Sequence, residues 1–187
     1  MVTWFALLFA FVLFQRLLEL VIARRNGAHI ESLGGFEVGK DHYRYIVLLH
    51  IAFLCSFLFE VLARHQEGMV PQLAPLTLFV LAQGLRLWVL RTLGKFWNTR
   101  IYILPGSEPV TRGPYRFMRH PNYLVVAVEL FTLPLCFGAW ITAIVFSLLN
   151  GVMLAVRIRA EENALIAGTA YAEKMSDRKR FFPLLRK

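Results

Sequence analysis

The stretch YLVVAVELFTLPLCFGAWITAIVFSLLNGVMLAV, residues 123–156, decides the fold. A helix crossing a bilayer needs about 20 mostly apolar residues, and this run is too long for one crossing. Pro134 and Gly138 break it near its middle. It therefore reads as two spans, about 123–137 and 139–156, joined as a tight helical hairpin whose turn barely reaches the far side. Working back toward the N-terminus, hydropathy picks out three more spans, about 73–90, 45–63 and 2–22. The expected fold is an all-α integral membrane protein with about five transmembrane helices, a cytoplasmic loop before helix 4 and a cytoplasmic C-terminal helix.

Composition agrees. Of 187 residues, 57% are hydrophobic and 18% charged, against roughly a quarter charged in soluble domains. This excludes an ordinary soluble enzyme and leaves no room for a second large soluble domain, so residues 1–187 are read as one membrane-embedded domain. Disorder and repeat architectures are excluded by the high apolar content and the lack of an internal period. Cys55 and Cys136 lie in apolar runs with neither a CxxC pattern nor clustered histidines. Both read as buried free thiols, and no metal site is expected. The first apolar run lacks a basic start and a small-residue cleavage pattern, so it reads as a retained helix rather than a signal peptide.

The net charge of +9 is informative through its placement. Eighteen Lys and Arg fall after the first, third and fifth spans, one (Arg64) falls after the second, and Arg16 and Arg86 lie within spans. By the positive-inside rule the N-terminus is outside and the basic loops and tail are cytoplasmic. An inner-leaflet surface accounts for these charges, so nucleic acid is not an expected partner and membrane lipids are.

Charged groups at membrane depth are costly, which makes them site candidates. The spans hold Gln15, Arg16 and Glu19, then His50 and Glu60, then Gln83 and Arg86. Arg16 and Glu19 are one turn apart and can pair, as can Gln83 and Arg86. Interhelical pairing or snorkelling competes with site membership for these groups, and is favoured for Glu60.

The remaining polar residues concentrate in two segments. In the first, residues 93–123, Gly and Pro punctuate a β-prone IYIL into irregular backbone. Pro121 biases His120 away from helix and starts the fourth span, with Tyr123 on its first turn. The free N–H groups there, beside Arg119 and His120, can bind a carboxylate, while attachment of a basic loop to headgroups is the competing reading. The second segment is a tail helix over 156–175, in which Arg157 can pair with Glu161 and Arg159 with Glu162. Leu165, Tyr171 and Met175 give it an apolar side.

The pattern GPYRFMRHPNY, followed after two apolar spans by RIRAEENAL and GTAYAEKM, resembles the isoprenylcysteine carboxyl methyltransferase family of integral-membrane methyltransferases. The resemblance covers about residues 110–175 closely. Met175 stands where that family has a last tyrosine, and Val125 where a glycine often follows. QRLLELVIARRN, GGFEVGKDHYRYIVLLH and LGKFWNTRIYILPG are similar to a bacterial branch that O-methylates alkylpyrones and alkylresorcinols. That likeness implies the bacterial cytoplasmic membrane and a link to a type III polyketide synthase.

The resemblance implies S-adenosylmethionine as cofactor, bound within residues 93–175, and a lipophilic acceptor entering from the bilayer. Tyr115, His120, Pro121, Tyr123, Leu124 and Arg157 are the implied cofactor contacts, with Glu161 and Glu162 closing the polar side. A phenol or enol must lose a proton, for which Glu161, Glu162 or His120 can act as base; a carboxylate needs only orientation, which Arg119 can supply. Arg119 and Glu161 are thus the expected catalytic residues. Phe96, Trp97 and Asn98 are the expected acceptor contacts: rings to flank an alkyl-bearing ring at the membrane surface, and an amide to bond its oxygen. Two other readings compete, an NADPH-dependent steroid-reductase-like membrane oxidoreductase and a non-enzymatic lipid-binding protein.

Overall fold

The computed structural model describes residues 3–64 and 70–181. Val2, placed in the first span, and the basic Arg186 and Lys187 lie outside the described residues. The elements are α1 (Thr3–Ser32), β1 (Phe36–Val38), α2 (Lys40–Ala63), α3 (Leu73–Leu93), β2 (Ile101–Ile103), α4 (Pro121–Leu135), α5 (Trp140–Gly168) and α6 (Tyr171–Met175). Helix dominates, and four helices, α1, α2, α3 and α5, are long and apolar enough to cross a membrane. Their outward faces carry large apolar side chains such as Phe59, 75% exposed, and Leu148, 68% exposed. That surface suits lipid and would be unstable in water.

The fifth expected span is the exception. α4 has 15 residues, about 22 Å of helix against a hydrocarbon core of about 30 Å. It is instead packed inside the others, with most of its side chains buried. Gly138 turns the hairpin at φ +69°, and Ala139 N–H donates to Pro134 O at 3.0 Å. At the same end, Glu60 of α2 accepts from the Thr142 amide at 2.8 Å and the Ile141 amide at 3.2 Å, capping α5 from a neighbouring helix. This fits the structural reading of Glu60. Phe5, Phe57 and Phe137 close that end in edge-to-face contacts with ring centroids 5.2 and 5.3 Å apart.

Three expectations need correction. Cys136 is buried but Cys55 is exposed, because α2 buries Phe53, Phe57 and Val61 and position 55 falls on the opposite, lipid-facing side. IYIL is not irregular: Ile101–Ile103 pairs antiparallel with Phe36–Val38 in a two-stranded sheet. The tail helix is not separate, since α5 runs unbroken to Gly168 and ends where Thr169 becomes extended.

Gln15, Arg16, Glu19, Gln83 and Arg86 converge with Glu129 in one cluster. Arg86 donates to Glu19 at 2.9 Å and to Glu129 at 3.0 Å. Arg16 reaches Glu19 at 2.6 Å and Glu129 at 2.7 Å. Gln83 donates to Glu129 and Gln15 to Gln83, tying α1, α3 and α4 together. The formal charges cancel. Gln83 and Arg86 therefore meet on Glu129 rather than on each other, and His50 bonds the Ile46 carbonyl of its own helix at 2.8 Å.

Candidate active site

α1 positions the first wall of the site. On its buried face, Asn26 Nδ2 donates to Trp97 O at 2.6 Å and Gly94 O at 3.1 Å, while the Ala23 carbonyl accepts from Asn98 Nδ2 at 2.8 Å. Asn98 Oδ1 accepts from the Arg100 amide at 2.9 Å. Both ends of the Asn98 amide are thus committed to holding the chain. Trp97, expected at the membrane surface, is instead 1% exposed and packs with Ala23 and Val89. Phe96 is exposed, its ring 6.3 Å from that of His29.

The second wall comes from residues 113–123. Gly113 has φ +59°, and a Cβ there would run into the Thr92 side chain. The absence of one lets the 3-10 turn Gly113–Arg116 lie against α3. Pro121 opens α4 at its first position, after His120 in non-helical backbone. His120 and Tyr123 then stack, centroids 5.4 Å apart.

α5 supplies the third wall. Tyr123 OH donates to Glu161 and accepts from Arg157 Nε at 2.8 Å, and Arg157 also donates to the Thr99 carbonyl at 2.6 Å. Arg157 therefore joins all three walls. The pairs expected within this helix, Arg157 with Glu161 and Arg159 with Glu162, do not form among the described residues, because Arg157, Glu161 and Glu162 are each engaged by other segments. Glu162 is held by His120 Nε2 at 3.0 Å, Arg119 at 3.1 Å and Arg180 at 2.5 Å. The Arg119 and His120 amides donate to the Lys179 and Arg180 carbonyls, each at 3.0 Å. The C-terminal segment is thus strapped across the RH of RHP.

Between the walls lies a cavity of about 110 Å³. Phe96, Trp97, Asn98, Tyr115, Arg119, His120, Tyr123, Arg157 and Glu161 line it; Pro121, Leu124 and Glu162 do not. The structure separates two adjacent glutamates, Glu161 on the cavity and Glu162 on the strap. Asn122, Arg100, Ile101 and Tyr102 also contribute and were not foreseen. The pairing of 101–103 with 36–38, which brings three of them in, leaves no local signal. Burial, reinforced by the Glu161 and Tyr171 charges, pushes the Tyr115 phenol well above its usual range. Three buried polar atoms on the wall have no partner among the described residues: Trp97 Nε1, Arg119 Nε and Asn122 Oδ1.

Residues 75–167 match the isoprenylcysteine carboxyl methyltransferase (ICMT) family. The chain is 42% identical over 161 residues, 86% of its own length and 96% of the relative's, to the uncharacterized protein YpbQ of Bacillus subtilis (strain 168). The chain belongs to the ICMT family. An uncharacterized protein of Haemophilus influenzae is 28% identical over 158 residues, 84% of this chain and 92% of that one. ICMT membership, with the apolar helices, makes this a membrane methyltransferase. The matched segment runs from α3 to the end of α5, and so holds most of the cavity wall.

The family's methyltransferases use S-adenosylmethionine, a molecule with an ammonium, a carboxylate and a sulfonium. The cavity wall has Glu161 for the cationic groups and Arg119, with its unpartnered Nε–H, for the carboxylate. The donor set fits.

Proposed function

We propose that this ICMT-family protein is an S-adenosylmethionine-dependent O-methyltransferase of the bacterial cytoplasmic membrane, with its N-terminus outside and its cavity cytoplasmic. The acceptor is a lipophilic phenol, enol or carboxylate entering from the bilayer, with alkylpyrones and alkylresorcinols, products of type III polyketide synthases, as the leading candidates. The observation that carries this reading is that one cavity is walled both by the RHPNY segment with Glu161 and by Phe96, Trp97 and Asn98.

S-adenosylmethionine, when bound, supplies a methyl group on a positively charged sulfur. The chain's own residues do the rest. Arg119, beside the α4 N-terminus, binds and orients a carboxylate. Glu161, oriented by the Tyr123 hydroxyl, which Arg157 holds in turn, accepts the proton that a hydroxyl acceptor loses as its oxygen gains the methyl. The buried aromatic wall keeps water away from the acceptor oxygen.

The test is methylation by purified protein with isotope-labelled S-adenosylmethionine against alkylpyrones, alkylresorcinols, prenylcysteines and phosphatidylethanolamine, read by mass. Label is expected on an oxygen of the first two. Label on the lipid amine, or stabilisation by NADPH and not by S-adenosylhomocysteine, would overturn the proposal.

A further inference from the structure

Trp97 carries a polar group that the structure leaves unused. Its side chain is 1% exposed and its indole Nε1–H has no hydrogen-bond partner among the described residues, yet the residue forms part of the cavity wall. A buried donor without a partner costs about 1–3 kcal/mol, and buried indoles ordinarily find one. The cost disappears if a ligand in the cavity provides an acceptor. Indole N–H only donates, so the ligand atom must carry a lone pair and be a good acceptor.

Asn98, the other candidate for this contact, has its amide spent on Ala23 and Arg100. Arg157 is anchored through Nε to the Tyr123 hydroxyl and through Nη2 to the Thr99 carbonyl, and that hydroxyl is spent on Glu161. On the Phe96–Asn98 wall the Trp97 N–H is the buried side-chain donor without a partner among the described residues. Across the same cavity stands Glu161.

We infer that Trp97 selects the methyl acceptor: its Nε1–H donates to the oxygen that receives the methyl group, so the cavity takes a hydroxyl in preference to a thiol. This rests on the methyltransferase reading above. A hydroxyl between Trp97 and Glu161 accepts from the indole and donates to the carboxylate. The O–H proton leaves to Glu161, and the freed electron pair forms the new oxygen–carbon bond as the methyl leaves sulfur. Sulfur is a weak hydrogen-bond acceptor, so a thiol gains little from Trp97 although its anion is the stronger nucleophile.

The probe is 3-mercapto-5-pentadecylphenol, which carries one hydroxyl and one thiol on the same ring. Methylation by the full chain in detergent is read as the ratio of O-methyl to S-methyl product by fragmentation mass spectrometry, after subtraction of the protein-free background. Because the two groups compete within one molecule, the ratio does not depend on how much of a variant is folded. The parent is expected to favour oxygen. Trp97→Phe, which keeps the ring and removes the N–H, is expected to lower the O-to-S ratio by about tenfold or more, with stabilisation by S-adenosylhomocysteine unchanged. A ratio unaltered in Trp97→Phe, a parent that favours sulfur, or loss of the S-adenosylhomocysteine response in the variant each overturns the inference. A parent stabilised by S-adenosylhomocysteine that methylates neither group overturns it and leaves the methyltransferase reading standing; a parent not stabilised overturns that reading itself.

Discussion

Arg86 Nε donates to Glu129 Oε1 at 3.0 Å in the middle of the helix bundle, with each residue 2% exposed. The pair joins α3 to α4, and through Glu19 and Arg16 it joins both to α1. Removing one partner strands a buried charge, at a cost of about 3–5 kcal/mol. Glu129→Leu is therefore expected to melt far below the parent in detergent. Arg86→Met combined with Glu129→Leu leaves the balanced Arg16–Glu19 pair and is expected to recover most of the loss. A double variant no better than the single one would show that shape rather than charge balance holds the helices.

Glu161 and Glu162 are adjacent and differ in surroundings, so their variants are expected to fail differently. Glu161→Gln should keep the parent's melting temperature and lose turnover, since Glu161 faces the cavity. Glu162→Gln weakens the contacts to Arg119, Arg180 and the His120 ring and should speed tryptic cleavage after Arg178, Lys179 and Arg180. S-adenosylhomocysteine should slow that cleavage in the parent.

Asn26 and Asn98 hold the Trp97 segment by side-chain donation to buried carbonyls. Asn26→Ala leaves the Trp97 carbonyl unpartnered by that amide and is expected to cost about 1–3 kcal/mol, read as a lower melting temperature. The same loss is expected for Asn98→Ala. A normal melting temperature with a raised KM for the acceptor would instead mark Asn98 as an acceptor contact.

High pH tests the buried phenols. Tyr115 and Tyr171 are both pushed above the ordinary tyrosine value near 10, first by burial and then by nearby carboxylates. Their contribution to stability is complete below that value. It is lost as pH rises above it, because the unfolded phenol ionises while the folded one stays protonated. The melting temperature of the parent should fall above about pH 10, and less steeply in Tyr115→Phe. Equal slopes would place the effect elsewhere.

The long apolar helices were legible because twenty consecutive lipid-facing residues need no partner to be recognised. The HP segment was legible because proline fixes the start of α4 by itself. What escaped depended on distant contacts. Glu129, amid VVAVELF, read as part of an apolar run until Arg16 and Arg86 of two other helices closed on it. Arg157 and Glu161 have the spacing of a pair within one helix, but Tyr123 comes between them from α4. The strand 101–103 had no visible mate because its partner lies more than sixty residues earlier.

Shortness gives α4 one more property. Its first residue lies about 21 Å along the helix axis from its last, while that last residue sits at the turn tied to the start of α3 through the Gln72 amide and Cys136 carbonyl, 2.8 Å apart. The floor of the cavity is therefore carried by a helix that stops before a full hydrocarbon thickness has been crossed. Lifting an alkyl chain into water costs about 0.8 kcal/mol per methylene, which for a fifteen-carbon tail would exceed what most binding sites return. For an acceptor of the proposed kind, a recessed floor would remove most of that climb: the ring would rise to the cavity while the tail stayed among the lipids.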